Sequence, residues 1–152
     1  MPHRLIAIIG QATPDEALEQ LAREAGRLLA AAGVSLITGG LGGVMAAASE
    51  GFKQCPTRAG VVIGILPSSC PSDANPHVDI ALATGIGEAR NAIIASAADA
   101  FIAIGRGYGT LSEIGLAMKL GKKVVALRSW PIDDRVPCVE SAAQAVAAVL
   151  KK

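Results

Sequence analysis

Short apolar runs alternate with helical patterns along the whole chain, and several of the runs end in glycine. The runs are almost continuous in apolar residues, which is typical of strands that are buried on both faces of a sheet. Strands of this kind that alternate with helices form a parallel sheet with helices on both of its sides. The pattern therefore predicts a doubly wound α/β fold. The expected strands are 4–9, 34–38, 61–66, 78–83, 100–104 and 124–127.

Helices are expected between these strands, because apolar residues recur there at helical spacing. Pro14 suits the first turn of the first helix, and Gly33 suits the residue that follows its last turn. The segment 67–77 is rich in proline, serine and other small polar residues, so a long surface loop is expected there. The length predicts a single Rossmann-like domain, 1–152. The expected helices are 14–32, 44–54, 88–98, 111–120 and 141–150.

The composition bears on the partners of the chain. With 51% hydrophobic and 18% charged residues, the chain is apolar for a soluble monomer. Some apolar surface is therefore expected to lie against another subunit, in a homodimer or a homotetramer. A net charge of +1 and an aromatic content of 3% supply neither a basic surface nor a stacking platform for bases. No nucleic-acid partner is expected.

Neither a membrane anchor nor a metal site is expected from the sequence. The apolar run at 5–9 is interrupted directly by Gly10 and Gln11, so no signal peptide or membrane span is expected and the predicted location is cytoplasmic. The three cysteines are widely spaced and form no C-x-x-C pair, which disfavours disulfides and zinc. The two histidines have no ligand spacing to each other or to the cysteines.

Glycine-rich turns follow four of the predicted strands, at Gly10, 39–43, 84–87 and 105–110. Carboxyl ends of parallel strands share one edge of a sheet, so these turns are expected to converge there. Glycine lets the backbone approach an anion closely, and a helix N-terminus adds its positive dipole end. The turns therefore predict a phosphate site. Its predicted residues are Gly10, Gly39, Gly40, Gly42, Gly43, Arg90, Asn91, Gly105, Arg106, Gly107, Tyr108, Gly109 and Thr110.

Three charged side chains near these turns each have two interpretations. Thr110 and Glu113 fit a capping box, but Glu113 also fits a carboxylate held beside a phosphate, as a base or a hydrogen-bond acceptor. Arg90 either pairs at the surface with Glu88 or another carboxylate, or clamps an anion, with Asn91 as a second donor. Arg106 lies within the glycine turn and either folds over a phosphate or projects into solvent.

Several common active sites are disfavoured by the sequence. The 39–43 turn lacks the Lys-Ser/Thr ending of a Walker loop, which disfavours triphosphate hydrolysis of that type. The turn after the first predicted strand lacks G-x-G-x-x-G, which disfavours classical dinucleotide binding. No Ser/His/Asp triad can be assembled, since His77 is the only internal histidine.

With these residues in view, the chain resembles the Rossmann-fold family called lysine-decarboxylase-like, although no pyridoxal site is apparent. That family includes the cytokinin-activating phosphoribohydrolases and the molybdenum cofactor carrier proteins, and the resemblance extends from Ile6 to about Trp130. As in the related families, the alanine-rich helices around 46–48 and 92–98 are expected to pack across a two-fold axis. The matching blocks are 38–45, 71–76, 87–91 and 107–113.

The resemblance separates two branches of this family. The phosphoribohydrolases carry a P-G-G-x-G-T-x-x-E loop and an upstream Arg-Lys pair, and Arg90 and Glu113 match their catalytic arginine and glutamate. This chain has Gly105 and Arg106 where that motif has Pro and Gly, and Asn91 where it has Lys. The block at 73–76 and the Arg90-Asn91 pair resemble instead the branch related to the cofactor carriers, although Arg106 replaces the glycine that is usual there.

The sequence therefore favours a binding protein for a phosphorylated small molecule, either the molybdenum cofactor or a nucleoside monophosphate, with no covalently bound cofactor. The alternative is an N-glycosidic hydrolase of nucleoside 5′-monophosphates, with Arg90 and Glu113 as its catalytic candidates. A purely structural subunit is a third class, and it would leave both glycine-rich turns without a ligand.

Overall fold

The computed structural model describes residues 3–152, which form one seven-stranded sheet with helices on both faces. The strands are β1 (Leu5–Gly10), β2 (Ser35–Thr38), β3 (Val62–Leu66), β4 (Ile80–Ala83), β5 (Ala100–Ile104), β6 (Lys123–Leu127) and β7 (Cys138–Val139). The α-helices are α1 (Glu16–Ala31), α2 (Val44–Gln54), α3 (Arg90–Ala97), α4 (Tyr108–Lys119) and α5 (Ala142–Leu150). Two 3₁₀ turns, Pro71–Asp73 and Gly87–Ala89, complete the regular structure of the described residues.

The strands pair in parallel in the order β4-β3-β2-β1-β5-β6-β7. Strands β1 to β4 are added in one direction, and β5 then returns to the other side of β1. The order of the strands therefore reverses between β1 and β5, where Ile8 lies beside Ile102 and Gly10 beside Ile104. This topology confirms the predicted Rossmann-like α/β class.

The hydrophobic core has two layers, one on each face of the sheet. Ile6 and Ile8 of β1 pack into the layer with α1, α2 and α5, whereas Ala7 and Ile9 pack into the layer with α3 and α4. Successive residues of a strand point to opposite faces, so an apolar residue at every position of β1 serves both layers. None of these four side chains is more than 1% exposed.

Three differences from the sequence-based expectation have physical reasons. Strand β7 has only two residues, one exposed and one half-buried, so it leaves no apolar run in the sequence. Strand β4 begins at Ile80 rather than at Val78, because the Val78 N–H closes a turn on the Asn75 carbonyl. Helix α4 begins at Tyr108 rather than at Leu111, since its first turn accommodates Gly109.

None of the helices within residues 3–152 combines the length and the apolar character that crossing a bilayer requires.

Helices α1 and α2 are packed against each other through their backbones. A Cβ at Gly26 of α1 would overlap the Ala48 carbonyl of α2, and a Cβ at Gly51 of α2 would overlap the Arg23 carbonyl of α1. Ala47 and Ala48 are buried in the same layer of the core. The small residues of α2 therefore serve packing within the chain, and the expectation that they lie on a two-fold axis is wrong for these two alanines.

Gly26→Ala is expected to lower the free energy of unfolding by about 1–3 kcal/mol, because the added methyl forces α1 away from α2. The matched control is Gly115→Ala on the exposed side of α4, where an added Cβ meets no atom within 4 Å. That change is expected to stabilise the protein by about 0.5–1 kcal/mol, as is usual for Gly→Ala in a helix. Urea unfolding followed by circular dichroism measures both. Equal effects of the two substitutions would contradict the packing argument.

Candidate functional site

A cavity of about 490 Å³ opens at the carboxyl ends of β1 and β5, where the strand order reverses. Helix α1, which follows β1, packs on one face of the sheet, whereas α4, which follows β5, packs on the other. The two chain segments therefore separate and leave a crevice, the usual ligand position in such sheets. We call it the first cavity. It is lined by Gly10, Gln11, Ala12, Thr13, Leu41, Met45, Glu88, Arg90, Arg106, Gly107, Tyr108, Gly109, Thr110 and Glu113.

The N-terminus of α4 forms one wall of the first cavity. Gly107 is the N-cap and supplies no side-chain hydrogen bond, and Leu111 is the residue whose N–H bonds to the Gly107 carbonyl, at 3.0 Å. The N–H groups of Tyr108, Gly109 and Thr110 therefore begin the helix without partners in the helix itself. Such groups and the helix dipole attract an anion.

The capping-box interpretation of Thr110 and Glu113 is wrong. Because α4 begins at Tyr108, Thr110 lies inside the first turn and does not precede the helix. The Thr110 hydroxyl is buried and has no hydrogen-bond partner among the described residues. Both side chains are thus free of a capping role and line the first cavity.

Arg90 is a buried cation in the wall of the first cavity, with 4% of its surface exposed. Its Nη1 donates to Asn91 Oδ1 at 2.5 Å, while its Nε has no partner among the described residues. The guanidinium lies against Gly39, where an added Cβ would be 2.7 Å from Nη1. Within residues 3–152, Arg90 is buried and forms no ion pair with Glu88 or any other carboxylate, so the surface-pair interpretation of Arg90 is wrong.

Glu113 is a buried carboxyl group facing the same cavity, with 7% of its surface exposed. Burial raises its pKa to about 7, against the opposing effect of the Arg90 charge, and Glu88 raises it further. Burial disfavours the charged form of a carboxyl group, which is why desolvation outweighs the arginine here. Near neutral pH, Glu113 therefore exists in both protonation states, and it can donate or accept a hydrogen bond.

Gln11 joins the two loops that border the crevice. Its Oε1 accepts a hydrogen bond from the Arg106 N–H at 2.6 Å, and its Nε2 donates to the Thr13 carbonyl at 3.4 Å. Gly105 has a φ of 81°, and a Cβ there would be 2.6 Å from Gln11 Oε1. Glycine is required at position 105 for both reasons. Gln11 is not among the site residues predicted from the sequence, although a polar residue directly after the glycine that ends β1 was the available signal.

The backbone of the glycine-rich turn at 39–43 contacts other groups of the protein. The Gly40 N–H donates to Thr38 Oγ1 at 3.0 Å, and the Gly40 carbonyl accepts from the backbone and side chain of Asn75. Gly43 has a φ of 66° and lies directly against the carbonyl groups of Gln11 and Ala12. This turn shapes the cavity through Leu41 and the adjoining Met45 rather than through its glycines.

The structure brings eight predicted site residues together in the first cavity and leaves six outside its lining. Those inside are Gly10, Arg90, Arg106, Gly107, Tyr108, Gly109, Thr110 and Glu113. Those outside are Gly39, Gly40, Gly42, Gly43, Asn91 and Gly105. Asn91 and Gly39 contact the Arg90 guanidinium instead. The cavity residues that were not predicted from the sequence are Gln11, Ala12, Thr13, Leu41, Met45 and Glu88.

An aromatic pair lies at the edge of the first cavity. The rings of Tyr108 and Trp130 are stacked, with centroids 6.0 Å apart and planes inclined by 29°. Trp130 Nε1 donates to the Gly107 carbonyl at 3.0 Å, which ties the pair to the start of α4. Tyr108 is 83% exposed, so it presents a flat aromatic surface to solvent beside the cavity.

Solved structures with this fold and this arrangement of elements are known. The molybdenum cofactor binding protein from the phototrophic bacterium Rippkaea orientalis aligns with a TM-score of 0.88 and 36% identity, covering 98% of this chain and 96% of that chain. The molybdenum cofactor carrier protein from Chlamydomonas reinhardtii aligns with a TM-score of 0.85 and 34% identity, covering 97% of this chain and 96% of that chain. These similarities confirm the predicted resemblance to the carrier-like branch.

The sequence comparisons agree with the structural ones. An uncharacterized protein from Archaeoglobus fulgidus is 41% identical over 141 residues, which cover 93% of this chain and 91% of that protein. The model of the SLOG cluster4 family matches residues 3–151. Since this match spans nearly the whole chain, the chain belongs to the SLOG cluster4 family.

Proposed function

We propose that this protein binds a phosphorylated small molecule in the first cavity, with the phosphate at the N-terminus of α4. The observation that carries the proposal is the meeting of that uncapped helix start with the buried Arg90 guanidinium in one cavity wall. The carboxylate of Glu113 belongs to the same wall.

The unpaired atoms of the wall support a phosphate rather than a neutral group. Arg90 Nε and Thr110 Oγ1 are buried without partners among the described residues. A buried polar atom without a hydrogen bond costs free energy, and such atoms in a native protein call for a partner such as a ligand. A phosphate has enough acceptor oxygens for the guanidinium, the hydroxyl and the N–H groups of the first turn.

The rest of the first cavity suits a flat heterocycle. Its volume of about 490 Å³ is in the range of small-molecule sites. Leu41 and Met45 supply apolar walls, and the Tyr108 ring offers a face for stacking. A nucleoside monophosphate and a phosphorylated pterin both combine such a ring system with a phosphate.

The molybdenum cofactor is the first candidate for the ligand, because the two aligned proteins are named for binding or carrying it. The donors that the first cavity offers to a phosphate include the amide N–H groups at the start of α4, the guanidinium groups of Arg90 and Arg106, and the Thr110 hydroxyl. This chain would therefore hold the cofactor by its phosphate and its ring system, and the molybdenum would be cargo.

Arg90→Gln is expected to weaken the binding of inorganic sulfate about ten-fold or more, because a charge-assisted hydrogen bond contributes about 1.5–3 kcal/mol. The matched control is Arg135→Gln, which removes a surface cation that pairs with Asp133 and does not line the first cavity. Isothermal titration calorimetry measures both variants against the unaltered protein. Sulfate affinity that is unchanged in Arg90→Gln would contradict the proposed phosphate position.

Sulfate affinity is expected to fall as the pH rises from 6 to 8, because Glu113 has a pKa of about 7 and its ionised form repels the anion. Sulfate keeps its charge over this range, so the change reports on the protein. Glu113→Gln stays neutral and should remove the part of the pH dependence centred near 7. The same titrations measure this effect, and an equal slope in Glu113→Gln would exclude Glu113 as its source.

A second candidate function is hydrolysis of a nucleoside 5′-monophosphate. It is favoured by the position of Glu113 and Arg90 in one cavity wall, and a Glu113 pKa of about 7 suits a general base, which works best near the ambient pH. The Asn91 side chain accepts a hydrogen bond from Arg90, whereas the phosphoribohydrolases have lysine at the position of Asn91. We therefore rank hydrolysis below binding.

No free adenine is expected when the protein is incubated with AMP, as measured by chromatography of the products. Adenine release that is lost in Glu113→Gln while sulfate binding at pH 6 is retained would reverse the ranking. The amide has nearly the shape of the carboxyl group but cannot take up the proton that a general base removes.

We also propose that the protein is a homodimer or a homotetramer. Exposed apolar side chains at the β4 edge of the sheet and on α3 support this proposal, namely Ile80, Leu82 and Ile93. An apolar edge strand without a covering element favours association with another chain.

Leu82→Glu is expected to shift the protein toward the monomer at micromolar concentration, because it places a charge at the centre of the β4 edge. Leu120→Glu is the control, since Leu120 is equally apolar and exposed but lies at the end of α4. Sedimentation velocity measures both variants. A monomeric unaltered protein at this concentration would contradict the proposal.

A further inference from the structure

A second cavity of about 460 Å³ adjoins the first one at the same edge of the sheet. Gln11 and Arg106 line both cavities, so the hydrogen bond between them marks the boundary. The second cavity continues over the carboxyl ends of β6 and β7, where it is lined by Arg128, Ser129 and Cys138. It is therefore a neighbouring compartment of the crevice with its own side chains.

Two guanidinium groups, those of Arg106 and Arg128, border the second cavity without a carboxylate partner within residues 3–152. The acidic residues of its lining are Asp15 and Glu140. The Asp15 carboxylate accepts from the Leu18 N–H at 2.8 Å as the N-cap of α1 and is committed to that helix. Glu140 is exposed, so water screens its charge, and the two arginines remain the cationic donors of this compartment.

Ser129 is a further, independent sign of a ligand in the second cavity. The residue is 4% exposed, and its hydroxyl has no hydrogen-bond partner among the described residues. A buried hydroxyl without a partner costs free energy, so a ligand oxygen at this wall would satisfy it. The adjacent Arg128 has a φ of 52°, a conformation that non-glycine residues rarely adopt. The chain therefore adopts a left-handed backbone conformation at Arg128, directly before the buried Ser129 in the cavity wall.

We propose that the second cavity is an oxyanion subsite formed by Arg106, Arg128 and Ser129, and that it receives a second phosphate-type group of the ligand. The proposal rests on the proposed function for the first cavity, because Arg106 and Gln11 place the two compartments side by side. A phosphorylated ligand that carries a second anionic group would then be bound more tightly than one with a single phosphate. Arginine suits this role because its planar fork binds phosphate oxygens in pairs.

Inorganic phosphate is the probe for this subsite, since it carries no ring system that could restrict binding to one cavity. The measurement follows backbone amide signals in ¹H–¹⁵N spectra during a phosphate titration of the full chain. Two groups of amides are expected to shift, those of Gly107, Gly109 and Thr110 at the first cavity and those of Arg128 and Ser129 at the second. The two groups should saturate with separate affinities.

Arg128→Gln is expected to weaken phosphate binding at the second group of amides by ten-fold or more and to leave the first group unchanged. Ser129→Ala is the independent variant and should weaken only the second group, by a smaller factor. Arg90→Gln is the reciprocal control, because it should weaken only the first group.

The outcomes separate this proposal from the proposed function. Shifts at the first group alone would overturn the second subsite and leave the first cavity as the phosphate site. Shifts at the second group alone would support the subsite and contradict the proposed function. A second-group response that persists unchanged in both Arg128→Gln and Ser129→Ala would overturn the assignment of these residues.

Discussion

The reversal of strand order between β1 and β5 is the constraint on which the site depends. The two strands are bonded along their length, but the helices that follow them pack on opposite faces of the sheet. The backbone must therefore divide directly after Gly10 and Ile104. The Gln11 side chain then bonds the separated loops to each other across the opening. Side-chain size is restricted here, since a Cβ at Gly10 would overlap the Ile104 carbonyl and Val44. The crevice is thus a consequence of the topology, and Gly10 and Gln11 maintain its shape.

The electrostatics of the crevice are balanced rather than strongly cationic. Arg90 is buried beside Glu113, yet the pKa of Glu113 is about 7, because the loss of hydration outweighs the attraction of the guanidinium. A bound anion would compete with the Glu113 carboxylate for the same positive groups. Protonation of Glu113 and anion binding are therefore linked, and each should favour the other. This coupling distinguishes Glu113 from a residue that only packs.

Much of the fold could be predicted from the sequence, because continuous apolar strands and helical spacing are properties of the chain itself. The cavity residues on α4 and at Arg90 were also predictable, because they follow the ends of predicted strands. The role of the 39–43 turn was not, because only the folded loop brings Asn75 onto the Gly40 carbonyl. The start of α4 was also misplaced, since Gly107 and Gly109 indicate a turn locally although Gly109 lies within the helix. The neighbouring compartment at Arg128 and Ser129 depends on where β7 pairs, and a two-residue strand leaves no pattern in the sequence.

The central claim, a phosphate position at the N-terminus of α4, is tested most directly by a crystal structure of the protein soaked in selenate. Selenate resembles phosphate in shape and is located by its anomalous scattering, independently of the refined coordinates. An anomalous peak is expected within hydrogen-bond distance of the N–H groups of Gly109 and Thr110 and of the Arg90 guanidinium. The proposed phosphate position would be contradicted by a selenate-soaked crystal in which those N–H groups face away from the first cavity and no peak lies beside them.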